Sequence, residues 1–345
     1  MFDLLLETGD LLMSRKKHYY RKKRRKRTVP VFLAVIILIL GIAGYGNGQA
    51  NSISSAMDTI FTAVSDLTSG TSMQTASGPA EVTEDLTIHF LDIGQGDCTL
   101  LTQGEHAMLI DAGDNDQGTK VQSYLEYLDI SSLDYLVLTH PDADHIGGAD
   151  VVIYKFDCNT ILMPERKADT RTYDDVIQAM KSKDYTAIHP EVGDSYAFGE
   201  SSFTILSPAR NYEDSNDCSI VLRLTHGSNT FLFTGDAEEE AENDMLASGM
   251  DLSADVLKVG HHGSHTSTSD AFLDAVSPTY AVISCETGNS YGHPHAETLN
   301  KLRAADVQMF RTDDQGTITV TSDGSTLTWN TSPSDDWVSG SGRTK

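Results

Sequence analysis

The pattern of apolar and polar positions divides the chain into a long structured middle and two flanks. From residue 86 onward, short runs rich in β-branched and aromatic residues recur between turn formers. Leu86–Leu91, Thr99–Thr102 and His106–Ile110 predict three consecutive strands, and Tyr135–Leu138 a buried one. Phe203–Leu206, Ser219–Thr225 and Thr230–Phe233 predict three more, the last two joined by a hairpin turn at Gly227-Ser228-Asn229. Tyr280–Ser284, Gln308–Arg311, Thr317–Thr321 and Thr326–Trp329 extend the series. Helical periodicity predicts helices over Lys120–Leu128, Tyr173–Lys183, Ala237–Ala247, Ala271–Val276 and Ala296–Ala304. Many strands with interspersed helices predict one α+β domain over residues 86–331, built of two sheets with helices packed outside.

The flanks read differently. Val29 to Tyr45 is an uncharged apolar run. At about 1.5 Å per residue it nearly spans a hydrocarbon core of roughly 30 Å. Residues 1–28 ahead of it carry ten Lys/Arg against three acids. Such a cluster predicts a cytoplasmic N-terminus and export of the chain beyond the apolar run. Residues 1–28 are therefore read as a basic cytoplasmic segment and 29–46 as a single transmembrane signal-anchor, with the domain outside the cytoplasm. The other reading is a signal peptide cut after Gly48-Gln49-Ala50, which would secrete the domain; the length of the basic region favours the anchor. Residues 47–85, rich in Ser, Thr, Gly and Ala, predict a flexible stalk, and the Ser/Gly-rich residues 332–345 a disordered tail.

Charge sharpens this division. The whole chain carries −25, yet residues 86–330 hold 13 Lys/Arg against 40 Asp/Glu, a net of −27. An acidic surface keeps a domain soluble and repels polyanions at long range. A nucleic-acid substrate would then need metal ions or a partner close to the site. Cys98, Cys158, Cys218 and Cys285 are scattered, with no C-x-x-C pair, so the spacing does not suggest a cysteine-based metal site.

The candidate chemistry sits where strands stop. Leu136-Val137-Leu138-Thr139 runs into His140-Pro141-Asp142-Ala143-Asp144-His145-Ile146-Gly147-Gly148, four ligand-type side chains within six residues. Pro141 and the two glycines disfavour a regular continuation, so a loop is expected to turn them toward one point. Imidazole and carboxylate together suit Zn²⁺, Mn²⁺ or Fe. Phe231-Leu232-Phe233-Thr234-Gly235-Asp236 repeats the arrangement, and the two oxygens of Asp236 can bridge two cations. Val256 to Ser264 repeats it again and delivers His261 and His262. Gly292-His293-Pro294-His295 precedes a helix. Asp111 ends another strand and can support ligands from behind. One Asp after a strand is usually a turn or a cap. Several strand ends each delivering His or Asp point instead to a shared site.

These motifs, in this order, resemble the metallo-β-lactamase superfamily, and within it the C-terminal extracytoplasmic domain of ComEC-type DNA-uptake proteins. Phe90 to Asp97, Asn216 to Val221 and Tyr291 to His295 are similar to the same group. The resemblance covers nearly all of residues 86–325 and implies an αββα four-layer sandwich holding one or two divalent metal ions, Zn or Mn. It implies His140, Asp142, Asp144, His145 and Asp236 as metal ligands, with one of His261 and His262 as the last, His261 slightly preferred. Two departures stand out: Asp142 replaces the usual His, and the His expected before Asp236 is missing, with Asn216 or Asp217 as stand-ins. The resemblance does not extend to the many-helix channel region of ComEC proteins, in whose place a single anchor is expected.

The reaction expected is hydrolysis of a phosphodiester, with single-stranded DNA as a candidate. Asp144 would orient water. His293 or His295 would donate a proton or bind phosphate, and Ser264 would bind phosphate through its hydroxyl and backbone N–H. The alternative is a non-catalytic, anchored module that binds DNA or a partner with a degenerate metal site. The sequence leaves the oligomeric state open.

Overall fold

The computed structural model describes residues 82–342. The basic segment 1–28, the expected anchor 29–46 and residues 47–81 of the expected stalk lie outside them. No helix among the described residues is long and apolar enough to cross a membrane.

Two seven-stranded mixed sheets form the frame. The first contains β1 (Leu86–Phe90), β2 (Thr99–Gln103), β3 (His106–Ile110), β4 (Ser132–Val137) and β5 (Asp157–Leu162). The second contains β6 (Ser195–Phe198), β7 (Ser201–Ser207), β8 (Val221–His226), β9 (Asn229–Phe233), β10 (Val256–Lys258), β11 (Tyr280–Ile283) and β12 (Gln308–Arg311). The chain then returns to the first sheet as β13 (Ile318–Ser322) and β14 (Leu327–Trp329). The orders are β14-β13-β1-β2-β3-β4-β5 and β12-β11-β10-β9-β8-β7-β6.

Period-two alternation assigns each strand residue to a layer. In β3, Met108 and Ile110 point between the sheets while Ala107 and Leu109 point outward. The inner core joins Leu86, Ile88 and Phe90 of one sheet to Phe203, Phe231 and Phe310 of the other. Burying each such side chain contributes about 1.5–3 kcal/mol. The outer face of the first sheet is covered by α1 (Gly118–Tyr127), the short α2 (Ala143–Ile146), α3 (Ala149–Lys155) and α4 (Arg171–Ser182). That of the second is covered by α5 (Glu239–Ser248), α6 (Asp270–Val276) and α7 (Ala296–Ala304); α8 (Thr312–Gln315) is a single turn after β12. The layering is αββα, because both sheets bury both faces.

Three expectations need correction. The segment after β4 is not a plain loop. Asp142 is extended (ψ 150°) and opens α2, its carbonyl accepting the N–H groups of His145 and Ile146, so one helical turn carries Asp144 and His145. Strands β5 and β6 escaped the sequence pattern because the exposed residues Asp157, Asn159 and Ser195 dilute it. Both lie at sheet edges.

The third correction concerns the tail. Residues 332–342 pack on the domain. The fully buried Arg311 forms a two-pronged pair with Asp313 (2.8 Å) and donates to the carbonyls of Asp336 (3.0 Å) and Val338 (2.7 Å). Trp337 packs on the second outer core, with the Arg303 guanidinium over its ring. Gly340 N–H donates to Pro294 O (2.9 Å), and a Cβ there would stand 2.0 Å from His293 O, so only glycine fits. The composition looked loop-like, but a buried guanidinium needs acceptors, and the tail's backbone supplies two of them.

Arg311→Met removes the cation facing the buried Asp313 and both tail anchors. It should cost about 3–5 kcal/mol in urea unfolding and expose residues 332–342 to protease. An unchanged midpoint and digestion pattern would refute the clamp.

Candidate metal centre

The histidines and acids singled out above come from strand ends that meet at one edge of the sandwich. Strand β3 delivers Asp111, β4 delivers His140 to His145, β9 delivers Asp236, and β10 delivers His261 and His262. Asp144, His145, Asp236 and His262 offer ligand atoms all within 4.8 Å of one another, and could hold a metal ion. His262 Nε2 is 3.2 Å from Asp144 Oδ2 and 3.5 Å from Asp236 Oδ2; His145 Nε2 is 3.2 Å from Asp236 Oδ1.

Each imidazole is gripped from behind. His145 Nδ1 donates to Asp111 Oδ2 (2.8 Å), and His262 Nδ1 donates to Ser284 O (3.0 Å). His140 Nδ1 lies 3.1 Å from Thr139 Oγ1 and 3.3 Å from Ser219 Oγ. His261 Nδ1 donates to Glu238 Oε1 (2.8 Å). Engaging Nδ1 fixes the ring and leaves Nε2 for the cleft, as in metal-binding histidines. The Nε2 atom of His140 is buried without a hydrogen-bond partner, and the buried Nε2 of His145 and Oδ1 of Asp236 have only each other, at 3.2 Å. Orphaned buried acceptors are costly, and a divalent cation is the partner that suits imidazole and carboxylate together. The residues fit the group.

The remaining candidates divide. Asp142 lines the cleft, half exposed, with Oδ1 accepting from Ser215 Oγ (3.0 Å) and Oδ2 3.9 Å from His140 Nε2. The preference for His261 over His262 is corrected: His262 enters the compact group, whereas His261 faces Asp236 Oδ2 from 3.7 Å on the more open side. His293 lines the cleft with its Nδ1 buried and without a partner. His295 does not, because His265 N–H donates to its Nδ1 (3.0 Å) and its Nε2 donates to Tyr291 O (3.2 Å). Ser264 is likewise committed: its hydroxyl pairs with Thr266 Oγ1 (2.8 Å) and its N–H donates to His261 O. Neither is free to bind phosphate. Asp217, offered as a stand-in ligand, caps α5 by accepting from the N–H groups of Glu238 and Ala241, while Asn216 stays in the cleft.

A buried ion pair went unread in the sequence. Lys258 Nζ lies 2.8 Å from Asp97 Oδ2, and Asp97 Oδ1 is 3.5 Å from His262 Nδ1. Asp97 N–H also donates to Asp144 O (3.1 Å); a Cβ on Gly96 would come within 2.4 Å of that carbonyl. The only hint was Gly94-Gln95-Gly96-Asp97 after a strand. Lys258 looked like one polar residue in an apolar run.

The titration behaviour follows from the crowding of charge. Burial lowers the His262 imidazole, but Asp236 and hydrogen bonds to Asp144 and Asp97 outweigh it and raise it to about 10. Burial also opposes charge on His145, yet Asp236 and Asp111 hold it well above the ordinary range. Burial would raise the Asp144 carboxyl; the His262 hydrogen bond and the charges of His145 and His262 bring it down to about 2. His293, buried and beside His262, His261 and His295, falls to about 3 and is neutral.

The cleft is small, about 120 Å³, and is lined by Gln95, Asp142, Asp144, Asn216, Asp236, His261, His262, Tyr291 and His293. Hollows of about 630 and 690 Å³ lie elsewhere. They hold none of the candidate ligands, whereas the small cleft is lined by Asp144, Asp236 and His262. All four cysteines are buried free thiols.

Comparison with known proteins agrees with this geometry. The family described as "Metallo-beta-lactamase superfamily" matches residues 91–287. The chain is 32% identical over 251 residues to "ComE operon protein 3" of Bacillus subtilis, covering 67% of this chain and 32% of that protein. It is 32% identical over 219 residues to "Recombination protein 2" of Haemophilus influenzae, covering 61% and 26%. It is 32% identical over 230 residues to "Competence protein ComA" of Neisseria gonorrhoeae, covering 66% and 31%. The chain thus spans no more than about a third of the length of these curated relatives.

Two measurements test the centre. His262 is raised to about 10, so without a cation it is protonated at neutral pH, and a cation must displace that proton. Calorimetric titration with Zn²⁺ or Mn²⁺ at pH 7 in two buffers should show release of about one to two protons, with affinity climbing as pH rises toward about 10. Binding without proton release would contradict the charge state. For the metal-free protein, Lys258→Met should lose about 3–5 kcal/mol, and adding Asp97→Leu should restore much of it.

Proposed function

The chain belongs to the metallo-beta-lactamase superfamily, and from that premise we propose that its domain is a metal-dependent phosphodiesterase acting outside the cytoplasm, with single-stranded DNA as the candidate substrate. The observation that carries the hydrolase reading is the compact group Asp144, His145, Asp236 and His262, with buried Nε2 and Oδ1 atoms that have no other partner. Relatives whose names refer to competence and recombination support a nucleic-acid substrate over a lactone or β-lactam. The basic cluster before an apolar run supports a single-pass anchor.

We assign the metal to Asp144, His145, Asp236 and His262, with His140 and Asp142 on the side of a second ion. A divalent cation held there would supply Lewis acidity toward a phosphoryl oxygen and toward water near neutral pH. Orientation of that water falls to Asp144, the least buried member of the group. His261 is the better proton donor than His293. Burial lowers it, but the hydrogen bond to Glu238 and the charge of Asp236 raise it on balance, which favours the protonated ring that a leaving oxygen would draw on. His293, held neutral, can only accept a hydrogen bond at its orphaned Nδ1 or donate one from its other nitrogen.

One observation favours a second reading, a binding module without turnover. The first metal position offers His140 and Asp142, and the side chain of Asp217 is spent on capping α5. A domain that had lost one ligand would bind without cleaving.

Metal analysis of the purified chain should find about one to two equivalents of Mn or Zn, and hydrolysis of a nitrophenyl phosphodiester should stop with chelator. Asp144→Ala and His262→Ala should lower metal content and cut turnover about a hundredfold or more, since loss of an outer partner alone typically costs 10–100-fold. His295→Ala should leave turnover near wild type. Metal bound without chelator-sensitive turnover would favour the binding module; no metal at all would overturn both.

A further inference from the structure

Among the described residues, five large apolar or aromatic side chains stand exposed: Tyr127, Tyr154, Ile188, Tyr291 and Val338. Of these, Tyr291 alone lines the cleft, and the residue is 64% exposed. It does not hang loose. Its ring stacks on His293 (centroids 5.6 Å, 22° between planes), and His293 stacks on His262 of the compact ligand group (6.1 Å, 26°). The backbone beneath is braced by Asn289, whose Oδ1 accepts from Tyr291 N–H (3.1 Å) and His293 N–H (3.0 Å) and whose Nδ2 donates to Glu286 O and His293 O. The Tyr291 carbonyl is held by His295 Nε2 (3.2 Å). A rigid aromatic face exposed two rings away from a candidate metal ligand has little to gain structurally from that position.

The rest of the lining narrows what this face can meet. Three carboxylates and no Lys or Arg line the cleft. Beyond the ions, then, affinity for a phosphodiester has to come from uncharged contacts. Gln95 contributes one: its Nε2 is buried, lines the cleft and has no partner. A planar ring stacking on Tyr291 would contribute another, since base–aromatic stacking needs no charge complementarity.

We propose that Tyr291 is the platform of a subsite that stacks the nucleobase next to the scissile phosphodiester, with the Gln95 amide as a neighbouring hydrogen-bond donor. This rests on the phosphodiesterase reading and gives a physical reason for a single strand as substrate: a base within a duplex cannot offer its face.

The test uses the full chain with Mn²⁺. Its substrates are two single-stranded oligonucleotides, one normal and one with abasic sites throughout. The wild type should show a KM about tenfold lower for the normal strand. Tyr291→Ala should lose that discrimination, and Tyr291→Phe should keep it. If Tyr291→Ala still discriminates as the wild type does, or if the wild type does not discriminate, the subsite is wrong. If no strand is cleaved, the phosphodiesterase reading fails by itself, and binding then decides the subsite. A 2-aminopurine strand should be quenched on binding to the wild type and to Tyr291→Phe but not to Tyr291→Ala; equal quenching in all three would overturn it.

Discussion

The site depends on how its imidazoles are held. Each ring turns Nε2 toward a carboxylate of Asp142, Asp144 or Asp236 because Nδ1 is already engaged: His145 by Asp111, His262 by the Ser284 carbonyl, His261 by Glu238, His140 by the hydroxyls of Thr139 and Ser219. These partners come from different strand ends, so the rings are oriented only when both sheets are in register. The fold supplies that register by burying both faces of each sheet, which leaves the strands no freedom to slip without turning their apolar residues outward.

Such a concentration of buried charge needs balance. Asp97, Asp111 and Asp236 are buried carboxylates beside His145, His262 and Lys258. In the metal-free protein, protons on the two imidazoles and the Lys258 ammonium offset the carboxylates. The same carboxylates that raise the imidazoles also favour a cation in their place. A cation held by this group would therefore displace protons, while Lys258 Nζ, 2.8 Å from Asp97 Oδ2, keeps that buried carboxylate paired.

The C-terminal residues belong to this arrangement. Arg311 holds the carbonyls of Asp336 and Val338, and Gly340 donates to Pro294 O beside His293. The loop that carries Tyr291 and His293 is therefore braced by Asn289 from within and by the tail from behind. A segment with the composition of a loose end buttresses the wall of the cleft. That wall is acidic and aromatic rather than basic: three carboxylates and the Tyr291 ring line it, with no Lys or Arg.

The two-sheet frame, most of the helices and the principal candidate ligands could be read from residue order alone. Alternation at period two marks a strand buried on one side or both, and His or Asp at the end of such a strand is visible in one dimension. Thr139 to His145, Asp236 and His261-His262 were legible for that reason, and so was Asp111 behind them. Packing placed His262 and not His261 in the compact candidate group, because adjacent residues in a tight turn point to different places and no local pattern says which. It alone committed Ser264, His295 and Asp217 to hydrogen bonds within the fold, and paired Lys258 with Asp97, 161 positions apart in number yet 2.8 Å apart in space. Hydrogen-bond partners and buried charge pairs are long-range facts, set by which strand ends meet rather than by the residues on either side.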